Sequence, residues 1–181
     1  DKSAKMLEEA NKIAPNNMMA RFRYMFVLAE NDRALADMQK VMDDVHKNDL
    51  ADDDIPPIAN FVHARLLKDA NYEQLDKEIN KLQQDYEAGK IDDVTLNAYF
   101  LVFDNLDPAL KDNYASWIKL YPKSYAAHQG LTRYLLGLAG QARGDRYMKD
   151  TSDKEVGGMQ LYLNGALENA KVAITLTAKP V

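Results

Sequence analysis

Apolar side chains recur along this chain at steps of three and four residues, which is the spacing of one face of an α-helix. Such a stripe has to be buried against another element, since apolar surface left in water forfeits the free energy of burial. The pattern therefore predicts a chain of packed helices. One clear example consists of Leu75, Ile79, Leu82 and Tyr86, with charged and amide side chains between them.

Capping residues, prolines and glycines divide this apolar pattern into segments. Pro108 follows Asp107, and proline suits the first helical position because the N–H it lacks would have no partner there. Gly89 stands where a helix end requires a left-handed residue. Ser152 and Glu155 have the spacing of a capping box. The predicted N-caps are Asp54, Asp92 or Asp93, Asp107, Ser124 and Ser152.

These signals predict an all-α protein with one domain over residues 1–181. Strand signals are nearly absent, and we interpret the continuous apolar run AYFLVF (98–103) as a buried helix. Short connections force neighbouring helices into antiparallel hairpins, and hairpins that recur roughly every 30 to 40 residues predict a right-handed α-solenoid. The predicted helices cover 3–14, 17–30, 33–47, 56–69, 72–88, 93–104, 108–120, 125–142 and 153–177.

The composition argues against several classes of function. The formal net charge is −5 and the basic residues are scattered, so binding of nucleic acid through phosphate neutralisation is not expected. No apolar run approaches the roughly 20 residues of a membrane-spanning helix. The chain has no cysteine, which excludes disulfides and thiolate metal sites and suits the cytoplasm and the periplasm equally. The oligomeric state stays open.

Both ends of the chain resemble the second helix of a tetratricopeptide repeat, in which small residues permit close helix packing and a proline follows. SAKMLEEANKIAPNN has Pro15 at the family spacing, whereas Pro180 in GALENAKVAITLTAKP falls two positions late. The first-helix signature is weak in MMARFRYMFVL. The resemblance implies a degenerate repeat in residues 1–50 and a helical superhelix. The small residues at the family positions are Ser3, Ala10, Ala166, Ala170 and Ala173.

Residues 69–178 are similar to a bacterial family of unknown function that is found beside tetratricopeptide and Sel1-like repeats. The similarity rests on the spacing of Trp117, Pro122 and Ser124, and on the helix end AGQARG. Gly140 stands where that family usually has a bulkier residue, which affects local packing. The resemblance implies a bacterial origin and no particular activity.

The sequence shows no recognisable catalytic or metal-binding constellation. His46, His63 and His128 are far apart, and none has a second ligand at helical spacing. The carboxylate pairs are expected at helix ends, as caps or solvated charge. Glycine-rich phosphate loops and serine nucleophile elbows are missing. We therefore predict a protein that is not an enzyme and that uses no cofactor.

Two segments are candidates for binding a partner. MMARFRYMF (18–26) mixes arginines with aromatic residues, as suits a peptide groove. We expect most of the aromatic and methionine side chains to lie in the core and a minority, including Arg21 or Tyr24, to be exposed. The 143–150 loop has two interpretations: it projects Tyr147 to a partner, or it only connects two helices, with Gly144 as the C-cap. The candidate partner-binding residues are Arg21, Arg23, Tyr24, Arg143, Arg146, Tyr147 and Asp150.

These patterns predict a non-enzymatic interaction module that binds a protein or peptide through one face of stacked helical hairpins. Three alternatives stay open. The chain could inhibit a basic toxin, because its own charge is acidic. It could be a hydrolase or lyase that uses His128 near the 143–150 loop. It could also be a spacer between further repeats, since both of its ends are repeat-like.

Overall fold

The computed structural model describes residues 2–14, 17–30, 35–47, 55–144 and 152–181. Within these ranges the chain is helical and contains no β-strand, so the predicted all-α class is confirmed. The described part has nine α-helices and one short 3₁₀ helix (Leu101–Asp104). The α-helices are α1 (Lys2–Ile13), α2 (Met18–Glu30), α3 (Leu35–Lys47), α4 (Ile55–Lys68), α5 (Tyr72–Glu87), α6 (Asp93–Phe100), α7 (Leu110–Leu120), α8 (Tyr125–Arg143) and α9 (Asp153–Ala173).

The helix ends follow the capping chemistry of the sequence. The side chains of Asp92, Ser124 and Ser152 each accept a hydrogen bond from the backbone N–H three residues further on, as predicted. Ser152 belongs to a complete capping box. Gly89 has a φ of +71°, which confirms the predicted left-handed residue after α5. Asp54 lies outside the described residues.

Asp107 caps a turn instead of the first residue of a helix. Its Oδ1 accepts a hydrogen bond from the backbone N–H of Ala109 at 2.9 Å. The chain makes one more turn before α7 begins at Leu110, two residues later than predicted. The prediction of Asp107 as the N-cap is therefore wrong: the N-cap of α7 is Ala109, and Pro108 lies in the turn before the helix.

The apolar run 98–103 is helical, as expected, and three of its six residues are buried. The α-helix stops at Phe100, and the run continues as the 3₁₀ helix. Because a 3₁₀ helix has three residues per turn, Phe100 and Phe103 point to the same side. Both rings are buried, whereas Leu101 between them is exposed.

Helix α4 lies at the centre of the described fold and packs against α2, α3, α5, α6 and α7. Its buried residues Ile58, Val62 and Leu66 repeat at steps of four. Buried residues also occur on other sides of the helix, as expected for an element with neighbours all around. Phe61 on one side of α4 belongs to one of the surfaces described below, and Ile55, Ala59 and His63 on its opposite side belong to the other.

Aromatic side chains fill the core between the 3₁₀ helix, α7 and α8. The Phe103 ring packs against Trp117, with ring centroids 5.9 Å apart, and Tyr114 packs against Tyr134 at 4.9 Å. The indole N–H of Trp117 donates to Asp76 Oδ1 on α5 at 2.9 Å, so its polar atom is satisfied inside the core. The core therefore joins sequence segments that are far apart.

Helices α8 and α9 form a closely packed antiparallel hairpin. A Cβ atom on Gly165 would lie 3.1 Å from Leu135, and one on Gly158 would lie 3.5 Å from Ala142. These two contacts run in opposite directions along the two helices. Ala166 on α9 is fully buried, which agrees with the small residue expected at this position.

The chain turns back after Ala173, four residues before the predicted end of α9. The tail (174–181) then lies along α5 and α8. The buried Gln83 donates to the backbone carbonyl of Lys179 at 2.9 Å, and Gln129 donates to that of Val181 at 2.8 Å. These tertiary hydrogen bonds replace the bonds that further helical turns would make.

Candidate functional site

Helix α2 buries one charged side chain among apolar ones and exposes other apolar side chains, which is unlike an ordinary surface helix. Its buried residues are Arg21, Met25 and Leu28, spaced by four and three along one side. On the opposite side Met19 is 59% exposed, Phe22 36% and Phe26 49%. We call Met19, Phe22, Arg23, Phe26 and Glu30, which lie together on that side, the outer face of α2.

The aromatic rings of the outer face rest on α4. Phe22 and Phe61 meet edge to face with ring centroids 5.3 Å apart, and Phe26 and Phe61 do so at 6.5 Å. Phe61 therefore fixes the two exposed rings in place. Arg23 is exposed between them, and Glu30 is exposed one turn beyond Phe26. The result is an ordered apolar surface with one charge of each sign.

The expectation that Arg21 is exposed to a partner is wrong. Arg21 lies on the same side of α2 as Met25 and Leu28 and is only 2% exposed. Its Nε and Nη1 atoms are buried without a hydrogen-bond partner among the described residues. Burial lowers the pKa of Arg21 and the negative charge of Asp44 raises it, with burial the stronger effect.

The other candidates in this segment have different environments. Arg23 is exposed, in keeping with a contact residue, and Tyr24 is half-buried against the core. A docking role for Arg23 and Tyr24 stays a prediction. The sequence pattern did not single out Met19 and Phe22, although their spacing from Phe26 is the same as that of a buried stripe.

At the 143–150 loop only the first residues fall within the described part. Arg143 is exposed at the last position of α8. Gly144 follows with a φ of +69°, and its N–H donates to carbonyls of the last helical turn. This geometry confirms Gly144 as the C-cap. Arg146, Tyr147 and Asp150 lie outside the described residues.

The His128 ring contacts other protein groups through both of its nitrogen atoms. The ring is buried, and its Nδ1 lies 3.0 Å from Asn169 Oδ1 while its Nε2 lies 3.2 Å from the Pro122 carbonyl. Both nitrogens therefore face acceptors from the protein. Arg143 is at the other end of α8, about 22 Å away along the helix axis. The structure does not bring these two residues together.

His63 forms a polar pair that the sequence did not reveal. It is 4% exposed on α4, and its Nε2 lies 3.2 Å from Glu78 Oε2 on α5. The other carboxylate oxygen accepts from Gln74 Nε2 at 2.8 Å. The α4–α5 hairpin offers a way to predict this pair. His63 and Glu78 are equally distant in sequence from the turn after α4, so antiparallel packing places them opposite each other. The side chain of His46 is outside what the structure describes.

Glu78 opens into a cleft bounded by α3, α4, α5 and α6. One part of the cleft has a volume of about 270 Å³, and a second part of about 570 Å³ extends toward the start of α6. We call this space the α4–α6 cleft. Its two parts share Ile55, Leu82 and Tyr99. The first part is also lined by Met42, Ala59, His63, Lys77, Glu78 and Lys81.

Within the described ranges, no group of three or more histidine, aspartate or glutamate side chains is arranged to hold a metal ion. Among the same residues, no helix combines the length and the apolar character needed to cross a membrane.

Comparisons with known proteins give no relative for this chain. No protein family matches it, and neither does any curated protein or solved structure. The resemblances to tetratricopeptide repeats and to the bacterial family of unknown function therefore stay predictions.

Proposed function

We propose that this protein is a non-enzymatic interaction module of bacterial type that binds one amphipathic helix of a partner protein on the outer face of α2. The observation that carries the proposal is the orientation of α2. Met25 and Leu28 bury the inner side of the helix in the core, while Met19, Phe22 and Phe26 are exposed together on the outer side. Exposed apolar side chains that are grouped in this way are expected where they serve a contact.

A helix is the partner that fits this surface best. Met19, Phe22 and Phe26 are spaced by three and four residues and form a ridge along α2. Such a ridge packs into the groove between side chains of a second helix, at an axis separation of about 8–10 Å. Phe61 holds the rings in place, so little conformational entropy is lost on binding.

The charges of the outer face define the partner further. Arg23 and Glu30 are seven residues apart, which is two helical turns. A partner helix with an acidic and a basic residue seven positions apart can pair with both in one orientation only. Charges of this kind add specificity more than affinity.

We also propose that the architecture of the protein is the predicted right-handed α-solenoid. The α8–α9 hairpin and the packing of α1 on α2 support it. In such a stack each hairpin contacts its neighbours, and one continuous face is left for a partner. The contacts of α4 with α7 and of α5 with α8 add packing between elements further apart in the chain.

Designed peptides provide the direct test of this function. The probe is a fluorescent amphipathic helical peptide with leucines at steps of three and four and with Glu and Lys seven residues apart. We expect it to bind the intact protein, and the double variant Phe22→Ser, Phe26→Ser should weaken binding at least tenfold, as at other aromatic hot spots. Fluorescence anisotropy gives the Kd.

Two controls separate binding from folding and from general stickiness. Leu161→Ser removes an apolar side chain that is also exposed, on α9, and should leave the Kd unchanged. Replacing the peptide lysine with glutamate places a like charge opposite Glu30 in either orientation of the peptide, so binding should weaken, and the variant Glu30→Arg should restore it. Equal affinity of the double serine variant and the wild type would refute the proposal. A dimer of this chain that dissociates in the double variant would also refute the proposal, because a second copy of the chain would then occupy the outer face of α2.

A further inference from the structure

The carboxylate of Glu78 is held in a fixed position by two side chains behind it. His63 bonds one oxygen at 3.2 Å and Gln74 bonds the other at 2.8 Å. Burial alone would raise the pKa of Glu78, but the hydrogen bonds of His63 and Gln74, with the charges of His63 and Lys77, bring it below its ordinary value. Glu78 is therefore a preorganised anion.

The surroundings of this anion are mainly apolar. Ile55 and Leu82 border both parts of the cleft, and Met42 and Ala59 line the part that contains Glu78. The Tyr99 ring lies against His63, with ring centroids 6.3 Å apart, and lines the same part of the cleft. A cleft with apolar walls and one oriented polar group is the usual form of a small-ligand site.

Nearby lysines do not neutralise this carboxylate directly. Lys81 is bound by both oxygens of Asp85, and Lys90 lies 2.9 Å from the same carboxylate. Lys77 is exposed at the rim of the cleft, and its charge is the weakest of the influences on Glu78. Among the described residues, Glu78 is thus hydrogen-bonded by His63 and Gln74 and by no lysine, although Lys77 and Lys81 also line this part of the cleft.

We propose that the α4–α6 cleft binds a small organic ammonium ion, with the ammonium group on Glu78 and its hydrocarbon part against Ile55, Leu82 and Tyr99. A carboxylate can accept more hydrogen bonds than the two it has here, so Glu78 can bind the N–H groups without releasing His63. An organic anion would face the charge of Glu78. A neutral alcohol would gain the apolar contact without the charge-assisted hydrogen bond.

Three ligands of one size test this assignment. Hexylamine, hexanol and hexanoate share a hydrocarbon chain and differ in charge, and their binding can be followed by NMR signals of the His63 and Tyr99 rings. We expect hexylamine to saturate these shifts at millimolar concentration, ~1 mM for so small a ligand. Hexanol should bind at least fivefold more weakly, and hexanoate should give no saturable shift.

The variant Glu78→Gln tests the named residue. Glutamine keeps an acceptor toward His63 and removes the charge, so the fold is expected to persist while the affinity for hexylamine falls at least tenfold. Glu73→Gln, an exposed position on the same helix, is the matched control and should leave the affinity unchanged. A thermal unfolding curve for each variant shows whether the fold is retained.

The proposal is overturned if hexanoate binds as tightly as hexylamine, or if Glu78→Gln binds hexylamine within twofold of the wild type. It is independent of the proposed function, because the double variant Phe22→Ser, Phe26→Ser changes the opposite side of α4 and should bind hexylamine normally. Failure of one assignment therefore leaves the other unaffected.

Discussion

Arg21 illustrates how a single residue can be held in an unfavourable environment by its helix. The side chain is buried because it shares a face with Met25 and Leu28, and two of its nitrogen atoms have no hydrogen-bond partner among the described residues. A buried donor without a partner costs roughly 1–3 kcal/mol. Asp44 offsets part of that cost through its charge.

Replacing Arg21 with methionine should therefore stabilise the protein. Methionine has a similar length and no polar donor, and we expect Arg21→Met to raise the free energy of unfolding by about 1 kcal/mol. Arg23→Met on the exposed side of the same helix should change it by less than about 0.5 kcal/mol. Urea unfolding measures both values. A less stable Arg21→Met protein would show that Asp44 compensates the buried charge in full.

At the scale of elements, two glycines of α8 show that the same residue type has different roles. A Cβ atom on Gly137 would lie 2.3 Å from Leu106 Cδ2, whereas one on Gly140 would meet nothing within 4 Å. Gly137 thus permits the close approach of the segment before α7. Gly140 is exposed, so the bulkier residue of the resembled family would have room there.

Alanine substitutions should separate these two roles. Gly140→Ala should stabilise the protein by about 0.5–1 kcal/mol, because alanine favours the helix and loses less chain entropy on folding. Gly137→Ala gains the same propensity but has to displace the Leu106 side chain, and it should be at least about 1 kcal/mol less stable than Gly140→Ala. Urea midpoints with unchanged m-values test the pair. Equal stability of the two variants would contradict the packing role of Gly137.

At the scale of the whole molecule, the tail joins the end of the chain to α5 and α8. Glu87 on α5 accepts hydrogen bonds from Thr177 and from the backbone N–H of Ala178, the latter at 3.2 Å. The Thr177 hydroxyl is the main reason why the pKa of Glu87 is lowered. Lys179 adds a cation–π contact, with its Nζ 3.8 Å from the centre of the Tyr86 ring.

The lowered pKa of Glu87 predicts that acid loosens the tail. A carboxyl group whose pKa is lowered on folding stabilises the folded form above its ordinary pKa of 4.5, and this stabilisation is lost as the pH falls through the lower, folded value. The protection factor of the Ala178 amide in hydrogen exchange should therefore decrease below pH 4.5.

Two controls belong to that measurement. The Ala127 amide is bonded to the Ser124 hydroxyl, which does not titrate, so its protection should persist until the whole protein unfolds. In the variant Glu87→Gln, the protection of the Ala178 amide should no longer depend on the titration of a carboxyl group at position 87. Parallel loss of protection at both amides in the wild type would indicate global unfolding instead.

The helices and most of their boundaries were predictable from sequence because their causes are local. Asp92, Ser124 and Ser152 satisfy N–H groups only three residues away, and Gly89 relieves backbone strain at its own position. The end of α9 was not predictable in this way. It depends on hydrogen bonds to α5 and α8, far away in sequence.

The site residues were less predictable than the helices, because their surroundings depend on contacts between distant parts of the sequence. A period of three and four residues marks the sides of a helix but does not state which side faces the core. In α2 both sides carry apolar residues, and only the packing of α1, α3 and α4 decided that Arg21 is inside and Phe22 outside. Likewise, the sequence around His63 does not show that this residue lines a cleft, because the cleft depends on the position of Glu78 on the neighbouring helix.

The sequence by itself determined that this protein is all-helical and where nearly every helix begins, because helix propensity, capping and apolar period act over a few residues. The tertiary structure alone decided which side of α2 is left in water and which carboxylate faces the α4–α6 cleft. Those outcomes depend on packing between distant segments. The free energy of burial is not directional, and it selects among several arrangements that are equivalent at the local level.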